Sequence, residues 1–516
     1  MPTTRSDTAG VPANGVPQLG APGGQVPNPV SRPLSAAAAG PPGSAAIASG
    51  NAATTTAAAA ALRAGGNAVD AVVAAGFASA VSEPGLTSVA GGGFLTLRHP
   101  DGTTEVLDFF TAVPGIGGFD GGKQATTVTV VYPSATQDFR VGAPAAAVPG
   151  CLSGYLEVHR RYGVLPLATV IAPAVELAGL GTPIDSSQSY IMGLIEDIMR
   201  FSPEAEAIYA PAGEILSEGD VLIAPELSAF FADVGRGLVT DLQSERFARP
   251  LLAMAADGCR ISAEDLSSYT PIWRDPLTVE HRGWRLDTNP APAFGGAIVA
   301  AAVAGARDTS TRAITDSLRA ATQAAKGGPR ATTGTTHISV ADADGLVAAM
   351  TTTNGTNGGV LVPTTGVHLN NMLGEDDLLP DGIDAVTPGE RLRSMSAPTI
   401  LTDPDGGVVA LGSGGSARIR SAMTTVILRL SVDGQTLIEA VGGPRAHYED
   451  TGVVQVEPGL RAEDLRDLRS RYPVNEWPVT DFYFGGVNAV QRHPDGAVSA
   501  AADHRRGGSV AIVPPG

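Results

Sequence analysis

The chain has 516 residues, 64 of them glycine, with 34 Lys and Arg against 52 Asp and Glu and a net charge of −18. That length exceeds one ordinary hydrophobic core, so two lobes or one large composite domain are expected. The acidic balance argues against nucleic acid as a partner, and no apolar run approaches the roughly 20 residues of a membrane-spanning helix.

Cys151 and Cys259 are the only cysteines, and they form neither a disulfide framework nor a metal-ligand spacing. The eight histidines are scattered, so no metal and no cofactor is expected. Residues 1–44 are rich in Pro, Gly and small polar side chains, which cannot bury enough apolar surface to order a segment, so a flexible tail is expected. Arg5 is followed by no apolar signal core, and the expectation is a cytoplasmic protein.

The pattern then changes. AAIAS (45–49) reads as a strand, and Asn51 can cap a helix through Ala61 that stops at Gly65-Gly66. Asn67 or Asp70 opens a second helix that ends at Pro84. Gly91, Gly92 and Gly93 lack the lysine of a P-loop and the spacing of a dinucleotide fingerprint, so they predict tight backbone packing. Thr104–Phe110 reads as a strand. Two helices flank the turn at 163–166, with His159, Arg160 and Arg161 expected on a solvated face and Cys151 as a packing residue. Ser262 and Asp265 have capping-box spacing. Between 306 and 335 there is room for one short helix at most.

The stretch from 332 to 354 carries the chemistry. Thr336–Val340 alternates polar and apolar residues, 341–345 is an Asp-Gly turn, and 346–353 is again β-rich, which predicts a hairpin. The small, polar residues 324–334 run directly into it. A cut between Gly334 and Thr335 would leave a hydroxyl and a free α-amine on Thr335. That amine has an ordinary pKa of roughly 7.7–8.0, so it can accept a proton at neutral pH and activate a hydroxyl that is otherwise too weak a nucleophile. Farther on, LGSGGSARIR (411–420) reads as a strand, a glycine turn and a helix start. Gly414 and Gly415 can point backbone N–H groups into a site as an oxyanion hole, with a phosphate-type loop or a plain helix cap as the alternative.

The strings GTTHISVADADGLVAAMTTTNG (334–355), GGNAVDAVVAAGFASAVSEP (65–84) and RLRSMSAPTIL (391–401) resemble γ-glutamyltransferases, which are N-terminal-nucleophile hydrolases. The resemblance implies an α+β fold of the four-layer αββα type. It also implies self-cleavage into a large-subunit-like region, 45–334, and a small-subunit-like region, 335–516, which stay associated. In that scheme Thr335 is the nucleophile, Thr353 or Thr351 orients it, and Gly414 and Gly415 hold the oxyanion. Asn354, Glu375 (with Asp376 and Asp377 as competitors) and Ser394 would position the acyl donor.

Two positions depart from the family. Phe110 stands where relatives carry a carboxylate-binding Arg, and Arg393 replaces the first serine of a Ser-Ser-Met-Ser segment, where it could supply the missing cation. His337 shares a strand face with Thr335 and is read as structural. The expected activity is γ-glutamyl transfer or glutathione hydrolysis on a small-molecule amide. The alternatives are an amide acylase of the cephalosporin-acylase kind and an uncleaved, non-enzymatic member.

Overall fold

A computed structural model of the chain describes residues 35–118, 122–131, 136–325, 334–375, 378–379 and 385–515. Two seven-stranded sheets form its frame. The first runs Ser509–Val513, Ala45–Ser49, Thr336–Ala341, Val347–Thr353, Gly92–Arg98, Thr104–Phe109 and Ile272–Arg274, every neighbour antiparallel. The second runs Ser35–Gly40, Val498–Asp503, Gly486–Arg492, Val408–Gly414, Thr399–Thr402, Trp284–Thr288 and Leu277–His281, again antiparallel throughout.

The strand period of two sends alternate side chains to opposite faces. Between the sheets this places small residues: Ala46, Ala48, Ala341 and Ala349 from the first meet Ala410, Ala500 and Ala502 from the second. The outer face of the first sheet, with Ile338, Val340, Ala348 and Met350, is covered by the helices Ala52–Arg63, Ala68–Ser82, Cys151–Tyr162 and Leu167–Leu180. Gly295–Gly305, Thr311–Ala324, Arg418–Ser431 and Leu437–Gly442 cover the second. This is the expected αββα sandwich.

Local chemistry sets the helix starts. Asn51 Oδ1 accepts from the Ala53 N–H at 2.8 Å, and Asn67 forms a reciprocal capping box with Asp70. Every residue of Ala68–Ser82 is buried, which is why its sequence is apolar on all sides. The hairpin forms as expected, with Thr336 paired to Thr352 and Ala341 to Val347. A Cβ at Gly91 or Gly93 would collide with the carbonyls of Thr353 or Thr351, so the glycine run does serve close backbone packing.

Three expectations need correction. The tail does not reach residue 44: Ser35–Gly40 pairs with Val498–Asp503, because an alanine run offers unobstructed backbone groups to an open sheet edge. Residues 1–34 lie outside those described. The helix before the hairpin, Thr311–Ala324, has 14 residues, longer than the one short helix expected there. His159 is not solvated, since Nε2 lies 3.0 Å from the Leu165 carbonyl and 3.5 Å from Asp70, where the following turn folds back over it. Cys151 is a buried free thiol whose pKa burial pushes up to about 12, so it is inert at neutral pH. Among the described residues no helix is long and apolar enough to cross a membrane, and no group of three His, Cys, Asp or Glu side chains could hold a metal.

Candidate active site

Thr335 leads into Thr336–Ala341, the third of the seven strands of the first sheet, and is buried. A Cβ on Gly334 would collide with the Gly355 carbonyl, so only glycine fits before it. From the neighbouring strand the Thr353 hydroxyl donates to the Gly334 carbonyl and accepts from the Gly355 N–H at 3.1 Å. The carbonyl preceding Thr335 is thereby polarised by a hydroxyl that a backbone amide holds in place. Thr351, the alternative partner, is occupied elsewhere: its Oγ1 lies 2.8 Å from His337 Nδ1.

Gly414 and Gly415 reach the same point from the second sheet. Gly414 ends its strand so close to Thr335 that a Cβ would collide with the Thr335 carbonyl. Gly415 has φ +121°, a conformation that favours glycine. Ser416 follows at φ 55°, and the helix Arg418–Ser431 begins there. The site therefore sits where the two sheets meet, at the end of one strand from each.

Thr335, Thr353, Glu375 and Ser394 line one cavity, as does Ser416. Ser396 lines it too, and the rest of its wall is apolar: Phe110, Phe294, Met372, Leu378, Met395 and Ile419. In the uncut chain it measures about 20 Å³, room for little more than one water. Glu375 is buried and accepts from the Thr356 hydroxyl at 3.1 Å, and Ser394 Oγ accepts from the Ser396 N–H at 3.1 Å. Phe110 is 1% exposed and stacks on Phe94 with ring centroids 5.4 Å apart. Arg393 is half-buried with its guanidinium 5.0 Å from the Phe294 ring centroid, and it pairs with no carboxylate among the described residues.

Asn354 does not line the cavity. Its Nδ2 donates to the Leu369 carbonyl at 3.0 Å and to Asn357 Oδ1, so its amide N–H groups are committed away from the cavity. Position 355 faces Glu375 instead: a Cβ on Gly355 would lie 2.6 Å from Glu375 Oε1. Asp376 and Asp377 lie outside the described residues. The sequence reading missed the apolar wall beyond Phe110, and it missed Ser416, which directly follows the glycine pair. It also missed Glu83, a fully buried carboxyl on the helix side of the hairpin. Glu83 Oε1 accepts from the Thr54 hydroxyl at 2.8 Å, and burial raises its pKa from 4.5 to about 7.

The family model described as gamma-glutamyltranspeptidase matches residues 54–306 and 304–513. An acylase ACY 1 proenzyme from Pseudomonas sp. (strain V22) is 30% identical over 88% of this chain and 91% of its own length. A glutathione hydrolase proenzyme from Escherichia coli (strain K12) is 25% identical over 86% of this chain and 87% of its own. The crystal structure of a cephalosporin acylase from Bacillus halodurans superimposes with a TM-score of 0.77 at 22% identity, covering 93% of this chain and 97% of that one. A match along nearly the whole described chain, on a sandwich that brings a Gly-Thr bond against a glycine turn, makes this protein an enzyme of the gamma-glutamyltranspeptidase family, of the N-terminal-nucleophile hydrolase type.

Proposed function

We propose that the chain cuts itself between Gly334 and Thr335 and then acts as an N-terminal-threonine amide hydrolase with an acyl pocket suited to an apolar acyl group. The observation that carries the substrate reading is Phe110: an aromatic ring packed on Phe94 occupies the wall where the family's γ-glutamyl donor would need a cation.

In the cut enzyme Thr335 Oγ attacks the amide carbonyl and its α-amine takes the hydroxyl proton. The N–H groups at Gly414 and Gly415 hold the oxyanion. The C–N bond breaks, the proton passes to the leaving amine, and the resulting Thr335 ester is released to water or to an acceptor amine. Thr353 orients the nucleophile, while Glu375 and Ser394 form the polar part of the cavity wall beside it. Asn354 acts one step back by fixing the 354–357 loop. The two regions, 45–334 and 335–516, remain together because each sheet interleaves strands from both.

Gly414→Ala places a methyl group against the Thr335 carbonyl. It is expected to lower kcat on the order of 10²–10³-fold, the cost of one oxyanion donor. Acyl specificity is tested with p-nitroanilides. Apolar acyl chains of four to eight carbons are expected to exceed the γ-glutamyl anilide in kcat/KM by about tenfold or more, since each buried methylene contributes about 0.8 kcal/mol. A γ-glutamyl preference that collapses in Arg393→Ala would instead favour the second reading. There Arg393, beside Phe294 at the cavity, takes the donor carboxylate in place of the cation missing at Phe110.

A further inference from the structure

His337 is fully buried two residues beyond Thr335, and its hydrogen bonds determine its tautomer. Ser339 Oγ donates to the Asn488 carbonyl at 3.1 Å, so its single proton is committed. Its lone pair must then accept from His337 Nε2 at 2.9 Å, which places the imidazole proton on Nε2. Nδ1 is left as an acceptor and takes the Thr351 hydroxyl at 2.8 Å. In this tautomer both ring nitrogens are satisfied without a charge, and burial pushes the imidazole down to about 3.

The ring also bridges the two sheets. It lies on Gly412, where a Cβ would collide with Nδ1 and Cε1, and Asn488 Nδ2 donates back to the His337 carbonyl at 2.9 Å. Two residues along each strand, in opposite directions, the Thr335 carbonyl meets Gly414. Position 337 on 412 and position 335 on 414 are thus consecutive inter-sheet contacts on the same pair of crossing strands. One is an aromatic ring on a glycine and the other is the nucleophile on the glycine turn.

We propose that His337 is a positioning residue: held as the Nε2–H tautomer between Thr351, Ser339 and Gly412, it sets the distance between the Thr335 strand and the Gly414–Gly415 turn. The inference rests on the proposed role of Thr335. A displacement of about 1 Å at reacting atoms can cost on the order of 10²-fold in rate, so a spacer beside the nucleophile acts on kcat and leaves donor binding largely alone.

The test uses the processed enzyme. His337→Leu keeps volume and loses both hydrogen bonds. It is expected to lower kcat by about 10- to 100-fold with KM within about twofold, and His337→Gln, which keeps a donor and an acceptor, is expected to recover part of the loss. Gly412→Ala leaves the imidazole chemistry intact but displaces the ring, and is expected to lower kcat in the same way. It decides the matter if His337→Leu does not fold. In all three the pH–rate profile keeps the wild-type limbs, and histidine-selective ¹⁵N spectra of the wild type show one ring fixed as the Nε2–H form from pH 5.5 to 8.

Unchanged kcat in a folded His337→Leu or in Gly412→Ala would overturn the proposal. So would an imidazole at 337 that titrates in step with the acidic limb of activity, since that marks a proton-transfer group. Failure of the nucleophile reading is recognised separately, by turnover that survives Thr335→Ala.

Discussion

Thr335→Ala is expected to give a single full-length species by intact mass under denaturing conditions, where the unaltered chain gives two species split at Gly334/Thr335. Turnover is expected to fall by a factor on the order of 10⁶, the scale seen when a covalent nucleophile is deleted. Thr335→Ser, which keeps a hydroxyl and the same α-amine, is expected to cut and to work. Processing and turnover then separate at Thr353. Before the cut the Thr335 nitrogen is an amide and cannot accept a proton, so the first attack relies on polarisation of the Gly334 carbonyl by the Thr353 hydroxyl. Thr353→Val is expected to slow processing on the order of 10²–10³-fold, as for loss of a donor to a developing oxyanion. Two fragments split at 334/335 from the Thr335→Ala chain would overturn the assignment of the nucleophile.

Much of this site was legible because its parts are local. The Asp-Gly turn, the β-branched runs around it and the Asn51 and Asn67 caps each depend on a few neighbouring residues, and each forms as the sequence predicts. The glycine runs at 91–93 and 414–415 were readable for a related reason: a missing side chain signals close backbone approach whatever the partner. What the sequence withheld depends on which distant residues meet. Asn354 and Gly355 are adjacent, and only the strand geometry reveals that 355 faces Glu375 while 354 bonds to Asn357 and the Leu369 carbonyl. Phe294, Met372, Met395 and Ile419 come from four segments, and no spacing rule links them to Phe110. Ser35–Gly40 became a strand because an edge of the second sheet was open to it, a fact no property of an alanine run contains.

Glu83 gives a pH effect that reaches into the neutral range. Its carboxyl lies between Thr54 on the helix Ala52–Arg63 and Thr336 on the hairpin, fully buried, with the Asp185 charge adding to the cost of ionising it. The folded pKa, about 7, stands above the ordinary value of 4.5, so the folded state retains a proton that the unfolded chain releases. The resulting stability is fully present below pH 4.5 and is lost as pH rises toward and through 7. A displacement from 4.5 to about 7 corresponds to about 3 kcal/mol. Glu83→Gln keeps the shape and a hydrogen-bonding group for Thr54 but cannot ionise. Compared in a Thr335→Ala background, where the chain stays whole, the two proteins are expected to have similar denaturation midpoints at pH 4.5. The Gln variant is expected to be the more stable by about 3 kcal/mol at pH 8. Other titrating groups, including the buried neutral His337 and His368, are common to both proteins and cancel in the difference. A gap that is equally large at pH 4.5 and pH 8 would mean that shape or hydrogen bonding at position 83, rather than the buried charge, sets the stability of the helix-facing side of the nucleophile hairpin.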